Sequence, residues 1–433
     1  MRHPRSPWLF VPSLYFQQGL PVILVQQFSV LLYKKLGVSN EQIAFWTSLL
    51  AWPWVLKMLW GPLVDLTAPK RSWVLAMQLG IAACLLALGF AVSSSVFWPL
   101  TLALLLVIAF LSATHDIALD GYYIVALPIE KQAFFLGISN ASFRLAMVFC
   151  TGALVVVAGL LERRGFAVAA SWRWAVLFGA FVYGALAVYA TWALPKSPRD
   201  RPTARVEPHA ASSYVEAFTS FFSQRRAFAI VAFILVYRFG ESMVTKMSGL
   251  FFLDSPAAGG LGFDTVQTGA VLGTCGVAAL VIGGISGGVA VARFGVRACL
   301  WPMAVAMHAP NLMYVWAASA RPGPSSMYLI VAVDQFAYGF GLASYMVYTM
   351  LICQRSRFQA SHYAIVTALM ALGAMLAGML SGYLQSHLGY FKFFVAVCAC
   401  TLPGMFLLPW LPMGAVPGGE ARGAEALECE ASA

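Results

Sequence analysis

Two aspartates, Asp116 and Asp120, lie one helical turn apart, and Arg144 follows about two turns into the next hydrophobic run. The stretch that holds them reads SATHDIALDGYYIVALPIEKQAFFLGISNASFR and joins two apolar segments. Farther on, Arg238 and Glu241 sit at i, i+3, where side chains on one helix can pair, and Asp334 is an isolated acid in an apolar run. Lys57 and Lys246 are likewise embedded in hydrophobic sequence. A charge at the centre of a membrane helix costs roughly 2.5–3.5 kcal/mol, so such groups persist where they pair, line a wet cavity or do work. Carboxylates so placed can take up and release protons. Arginines can hold carboxylates or phosphates with a planar fork of donors.

The elements that must position these groups are membrane helices. Of 433 residues, 61% are hydrophobic and 10% are charged, against about 25% charge in a soluble domain. Apolar runs near the ~20 residues that cross a bilayer recur along nearly the whole chain. We count twelve, at about 8–33, 41–64, 72–92, two flanking the aspartate stretch, 172–194, 227–253, 265–290, 298–318, 326–351, 361–385 and 390–412. The fold class is therefore an all-α polytopic membrane protein. Residues 1–194 form a first six-helix bundle, 195–226 a proline- and charge-rich cytoplasmic linker, 227–412 a second bundle, and 413–433 a polar tail. Within the linker, 213–222 reads as a short surface helix, and Gly19-Leu20-Pro21 as a kink in span 1.

The net charge of +10 is scattered over loops rather than clustered, which excludes a nucleic-acid surface. With the N-terminus inside, cytoplasmic segments hold sixteen basic residues and the opposite side seven, which puts both termini in the cytoplasm. The apolar stretch from Trp8 to Leu32 is too long for a secretory signal and reads as the first span. Eight cysteines show no ligand-like spacing, so no metal or other cofactor is expected. No GxGD, HExxH or nucleotide-binding loop is present, which argues against an enzyme.

The two halves echo each other. Gly61-Pro62-Leu63-Val64-Asp65 with Lys70-Arg71 follows span 2, and Gly283 to Arg297 follows span 8, its equivalent six spans on. These segments resemble the cytoplasmic loop motif of the major facilitator superfamily, the second copy lacking its acid. Within that superfamily the chain resembles the AmpG-like muropeptide permeases and the peptide/acetyl-coenzyme A transporter group. The resemblance rests on Gly19-Leu20-Pro21, on KMLWGPLVD from Lys57 to Asp65 and on SATHDIALD from Ser112 to Asp120. Leu127-Pro128, Phe143-Arg144-Leu145, Tyr237-Arg238-Phe239-Gly240-Glu241 and Asp334 add to it. The longest muropeptide permeases carry two further hydrophobic helices, whereas the runs here stop at twelve.

The resemblance implies two six-helix bundles around a midplane cavity and a proton-coupled importer of an anionic or zwitterionic solute across the bacterial inner membrane. Anhydro-muropeptides are the expected substrate; a siderophore, a coenzyme A ester, or a transport-inactive sensor on the same fold are the alternatives. The expected partners are that small solute, protons and lipid, with the protein a monomer. Lys57, Arg144, Arg238, Gln26 and Tyr123 are the expected cavity residues; Asp334, Glu241, Asp116 and Asp120 the proton-coupling acids; Asp65, Lys70, Arg71 and Arg293 a conformational latch. Asp116 and Asp120 could instead pair with Arg144 as a cytoplasmic latch, Arg238 and Glu241 could neutralise each other, and Lys57 could snorkel.

Overall fold

The computed structural model describes residues 6–197, 200–201, 216, 218–224, 226–354 and 358–412. The side chains of Pro62, Asp65, Ile129, Glu130, Ala133 and Ala360 are also outside the description. The tail 413–433 and most of the linker 195–226 therefore lie outside the described residues. Of the expected surface helix 213–222, residues 216 and 218–222 are described and are helical.

The described residues are almost entirely helical, and nine helices are long and apolar enough to cross a membrane. They are Pro7–Lys35, Lys70–Ala91, Phe97–Ala126, Phe134–Arg163, Val168–Ala193, Ala227–Leu253, Thr265–Phe294, Pro324–Gln354 and Ser361–Trp410. The sequence expects twelve, and the difference has a local cause. Span 2 is cut into Asn40–Leu49, Trp52–Leu56 and Gly61–Thr67. Pro53 and Pro62 stand at the starts of the second and third pieces, where a missing N–H is tolerated. Span 9 is cut at Ala309-Pro310 into Val296–His308 and Asn311–Ala320. Spans 11 and 12 run together, and the turn between them is Gly389 at φ 69°, a left-handed conformation that glycine adopts without strain. Twelve crossings result, in two sets of six.

The first helix passes through Pro21 and widens just beyond it, in a π-helical turn over Leu24–Phe28. The expected irregularity is thus displaced by one turn from Gly19-Leu20-Pro21. Gly19 instead lets span 5 approach: a Cβ there would meet the Ala146 Cβ at 2.9 Å and the Phe143 carbonyl oxygen at 3.0 Å. Two more π-helical segments, Val148–Leu154 in span 5 and Val271–Cys275 in span 8, face each other across the molecule. They touch at Gly152 and Gly273, where any side chain on Gly273 would collide with the opposite backbone.

Large apolar side chains remain outside, among them Phe181, Phe228, Ile282, Leu329 and Phe406, each more than half exposed. In lipid these are solvated by acyl chains, and only helices or closed barrels can present such a surface. The interior carries the polar groups.

Candidate functional site

Between the two halves lies a cavity of about 420 Å³. Its lining includes Gln26, Gln27, Trp54 and Arg144 from spans 1, 2 and 5, and Arg238, Lys246, Tyr314, Asp334 and Tyr338 from spans 7, 9 and 10. Gln26, Arg144, Arg238 and Asp334 are thus brought together as expected. The indole N–H of Trp54 has no partner among the described residues.

The second half supplies most of the charge. Helix Ala227–Val236 ends and Phe239–Leu253 begins around Arg238, whose backbone (φ −97°, ψ 10°) leaves helical geometry. Arg238 and Glu241, which could have neutralised each other, form no ion pair among the described residues. Instead the Arg238 guanidinium donates to the Tyr338 hydroxyl and stacks over its ring, 5.4 Å from the centroid. Its Nε has no partner among the described residues. Arg144, from the other half, lies within electrostatic range of both Arg238 and Tyr338. Glu241 turns away from the cavity and accepts from Asn311 Nδ2 at 2.7 Å, with His308 Nδ1 at 3.3 Å.

Asp334 is 1% exposed. Its Oδ2 accepts from Gln335 Nε2 at 3.0 Å and from the Tyr314 hydroxyl at 3.4 Å. Among the described residues its Oδ1 has no partner, and no cation is within salt-bridge distance of it. Lys246, not among the expected site residues, lines the cavity with its side chain buried. Its ammonium donates to the Gln26 carbonyl oxygen at 3.3 Å and to Thr47 Oγ1 at 3.1 Å, both in the opposite half.

In the first half one partly buried charge is matched. Lys57 forms an ion pair with Asp116, whose other oxygen accepts from Gln18 Nε2 at 2.7 Å. Gln18, His115, Gln78 and Gln17 continue the network, and Gln17 Nε2 reaches the Tyr183 carbonyl oxygen at 3.4 Å. Asp116 therefore does not pair with Arg144: it faces spans 1 and 2, while Arg144 emerges into the cavity. Neither Lys57 nor Asp116 is among the residues that line this cavity. Asp120 is exposed, within electrostatic range of Lys57 and of Tyr363 from span 11. Tyr123 does not line this cavity either. Its hydroxyl donates to the Gln132 carbonyl oxygen at 2.5 Å and its ring meets Tyr15 edge-on, which fixes the turn after span 4.

The latch residues are partly rearranged. The side chain of Asp65 lies outside the described residues. Arg71 donates to the carbonyl oxygens of Leu194 (3.1 Å) and Thr191 (2.8 Å) at the end of span 6. Asp200 caps span 3 by accepting from the backbone N–H groups of Lys70 (2.7 Å) and Arg71 (2.9 Å). Arg293 is exposed and lies over the ring of its neighbour Phe294.

Among the described residues, the polar ties between the halves lie between the cavity and the end that carries residues 36–39 and 254–264. Lys34 pairs with Asp254, which also accepts from Asn40 Nδ2 at 2.8 Å. Asn40 reaches Gln385 and Tyr390 as well. Glu162 accepts from the Thr265 hydroxyl at 2.6 Å, and Arg163 Nη2 meets Asp264 Oδ2 at 2.6 Å. Span 2 abuts span 11 on the same side, where a Cβ on Gly382 would press on Ala44. One end of the interface is clamped, and the other lacks such ties among the described residues.

Comparison with known proteins agrees with this architecture. Residues 14–358 match the family model of the Major Facilitator Superfamily. The anhydromuropeptide permease of Escherichia coli (strain K12) is 27% identical over 417 residues, which cover 94% of this chain and 79% of that protein. A putative transporter, AmpG 2, of Rickettsia typhi is 22% identical over 372 residues, 83% of this chain and 84% of that one. A crystal structure of a D-xylose-proton symporter superposes with a TM-score of 0.69 at 13% identity, over 94% of this chain and 97% of the other, and so speaks to the fold. Two six-helix halves around a central cavity, with a family match over most of the sequence, make this chain a multi-pass membrane transporter of the Major Facilitator Superfamily.

Proposed function

We propose that the chain is a proton-coupled importer of anhydromuropeptide-type solutes across the bacterial inner membrane, with both termini cytoplasmic. The observation that carries this reading is the meeting of Arg144 and Arg238, one from each half, in a cavity where neither has a carboxylate partner among the described residues. Two guanidiniums without counter-charges suit a carboxylate-bearing ligand. Trp54, with a free indole N–H at the same cavity, suits a sugar ring. The similarity to an anhydromuropeptide permease supports the same substrate class.

Asp334 is the proton site in this scheme. It faces the cavity with one oxygen unused, so a proton there completes its bonding. The moving bodies are residues 1–194 and 227–412, joined by the linker 195–226. The clamped end faces outward, so this conformation is closed to the outside. Outward opening breaks the Lys34–Asp254 and Arg163–Asp264 pairs, and substrate and proton then enter together. Rocking back restores the clamp and releases both to the cytoplasm.

The test is uptake of labelled anhydromuropeptide by right-side-out vesicles, with a siderophore and a coenzyme A ester as competitors. Uptake is expected to collapse with a protonophore. Asp334→Asn is expected to lose gradient-driven accumulation and keep exchange of labelled for unlabelled solute. Accumulation that survives the protonophore, or an Asp334→Asn variant that still concentrates substrate, overturns the coupling. Preferential competition by the siderophore or coenzyme A ester overturns the substrate.

A further inference from the structure

The cavity holds a second buried cation, apart from the arginine pair. Lys246 is eight residues beyond Arg238 on span 7, which places its backbone roughly 12 Å farther along the helix axis toward the clamped end. Asp334 lies between these levels, because it is one turn before Tyr338 on span 10, and Tyr338 is bonded to Arg238. The cavity therefore presents, in order along its axis, two guanidiniums, one carboxyl and one ammonium.

The bonding of that ammonium is unusual. It is buried at 8% exposure and has no carboxylate within salt-bridge distance among the described residues. An ammonium has three donors, and two are used, both on neutral acceptors of the opposite half. One acceptor is the carbonyl oxygen of Gln26, within the π-helical turn of span 1, and the other is the hydroxyl of Thr47 in span 2. A buried charge held only by neutral groups is a costly feature unless something else completes it.

We propose that Lys246 is a second anion-binding site of the transport cavity, so that the solute carries two anionic groups set on the order of 10 Å apart. The inference rests on the proposed substrate reading and narrows it to elongated dianions. It also gives the charge a part in the cycle. Outward opening separates span 7 from spans 1 and 2 and strips Lys246 of Gln26 and Thr47. An incoming carboxylate replaces those acceptors, whereas a solute with a single anionic end leaves the ammonium bare.

The experiment is equilibrium binding by the purified full chain, measured by calorimetry. The first probe pair is an anhydromuropeptide and the same compound with its terminal carboxylate amidated. The second pair is an N-acetylated tetrapeptide with glutamate first and a free C-terminus, about 10 Å between its charges when extended, and its C-terminal amide. Wild type is expected to prefer the free acid at least about tenfold, which corresponds to 1.4 kcal/mol. Lys246→Met is expected to bind acid and amide alike, and Lys246→Arg to keep the preference. Failure of both muropeptides to bind, with the peptide diacid still preferred and the preference lost in Lys246→Met, sinks the muropeptide reading and leaves the second site standing. A wild-type ratio near one with both pairs, or a ratio that Lys246→Met retains, overturns the second site. Circular dichroism of Lys246→Met, matched to wild type, shows that a lost preference is not lost folding.

Discussion

The two halves of the molecule each bury a set of ionisable groups, and they use them in opposite ways. In the first half Lys57 and Asp116 neutralise each other, and Gln18, His115, Gln78 and Gln17 extend the network from Asp116. In the second half Arg238 has a tyrosine, Asp334 an amide and a tyrosine, and Lys246 a carbonyl and a hydroxyl. None of these three has an opposite charge bonded to it among the described residues. A matched pair resists displacement because removing either member strands the other. Groups held by neutral partners can exchange them for a ligand or a proton at lower cost. Among the described residues that line the cavity, the first half thus contributes Arg144 without an acid partner, and the second half contributes Arg238, Asp334 and Lys246.

This contrast can be broken experimentally, most severely at Arg238. Arg238→Ala is expected to lower uptake about tenfold to a hundredfold, the worth of one or two charge-assisted bonds. The joint change Lys57→Met with Asp116→Leu, which removes a matched pair whole, should leave uptake within about threefold of wild type. Equal losses in the two proteins would mean that the matched cluster also works on substrate.

Stability separates the halves next. Asp116→Ala strands Lys57, whose side chain is 31% exposed, and should cost about 1–3 kcal/mol, read as a lower midpoint of thermal unfolding in detergent. Adding Lys57→Met should restore most of that loss; no recovery would show that the pair is not what Asp116 contributes. A smaller effect is expected at Glu241, which accepts from Asn311 and His308 away from the cavity. Glu241→Gln keeps an acceptor for Asn311, so vesicle uptake should stay within about threefold of wild type. Loss of gradient-driven uptake in that variant would add Glu241 to the proton path.

The smallest effect concerns the clamp. Burial alone would raise the Asp264 carboxyl, but backbone N–H groups at the start of span 8 and the Arg163 guanidinium outweigh it and hold the group below its ordinary 3.8. A depressed carboxyl stabilises the closed end above its unpaired value, and that contribution is lost as the pH falls through the depressed one. Acidification from pH 5 to pH 3 should therefore loosen the clamp by no more than about 0.5 kcal/mol, since both side chains are roughly half exposed. Spin labels on spans 5 and 8 would report the change, and Asp264→Asn should remove the share of it that the Arg163 pair contributes.

Much of the site was legible because apolar sequence makes ionisable residues conspicuous. Arg144, Arg238, Asp334 and Gln26 stand out in hydrophobic runs, and all four line the cavity. Lys57 and Asp116 stand out equally, yet 59 residues apart they give no sign that they bond to each other. Helical spacing joined Arg238 to Glu241 only on the assumption of an unbroken helix, and the break at Arg238 removes that assumption. Tyr338 carried a usable signal, being one turn from Asp334. Lys246 carried a weaker one in its place on the same span as Arg238. Gly152 and Gly273 could be read as small residues, but not as the point where spans 5 and 8 touch.

Composition and periodicity by themselves determined that this chain crosses a bilayer about twelve times in two similar sets, because the cost of exposing polar groups to hydrocarbon acts residue by residue. The partners of each charge were decided only by tertiary structure. Bonding there depends on which helix faces which, and on local breaks at Pro53, Arg238, Pro310 and the π-helical turns that redirect side chains by a fraction of a turn.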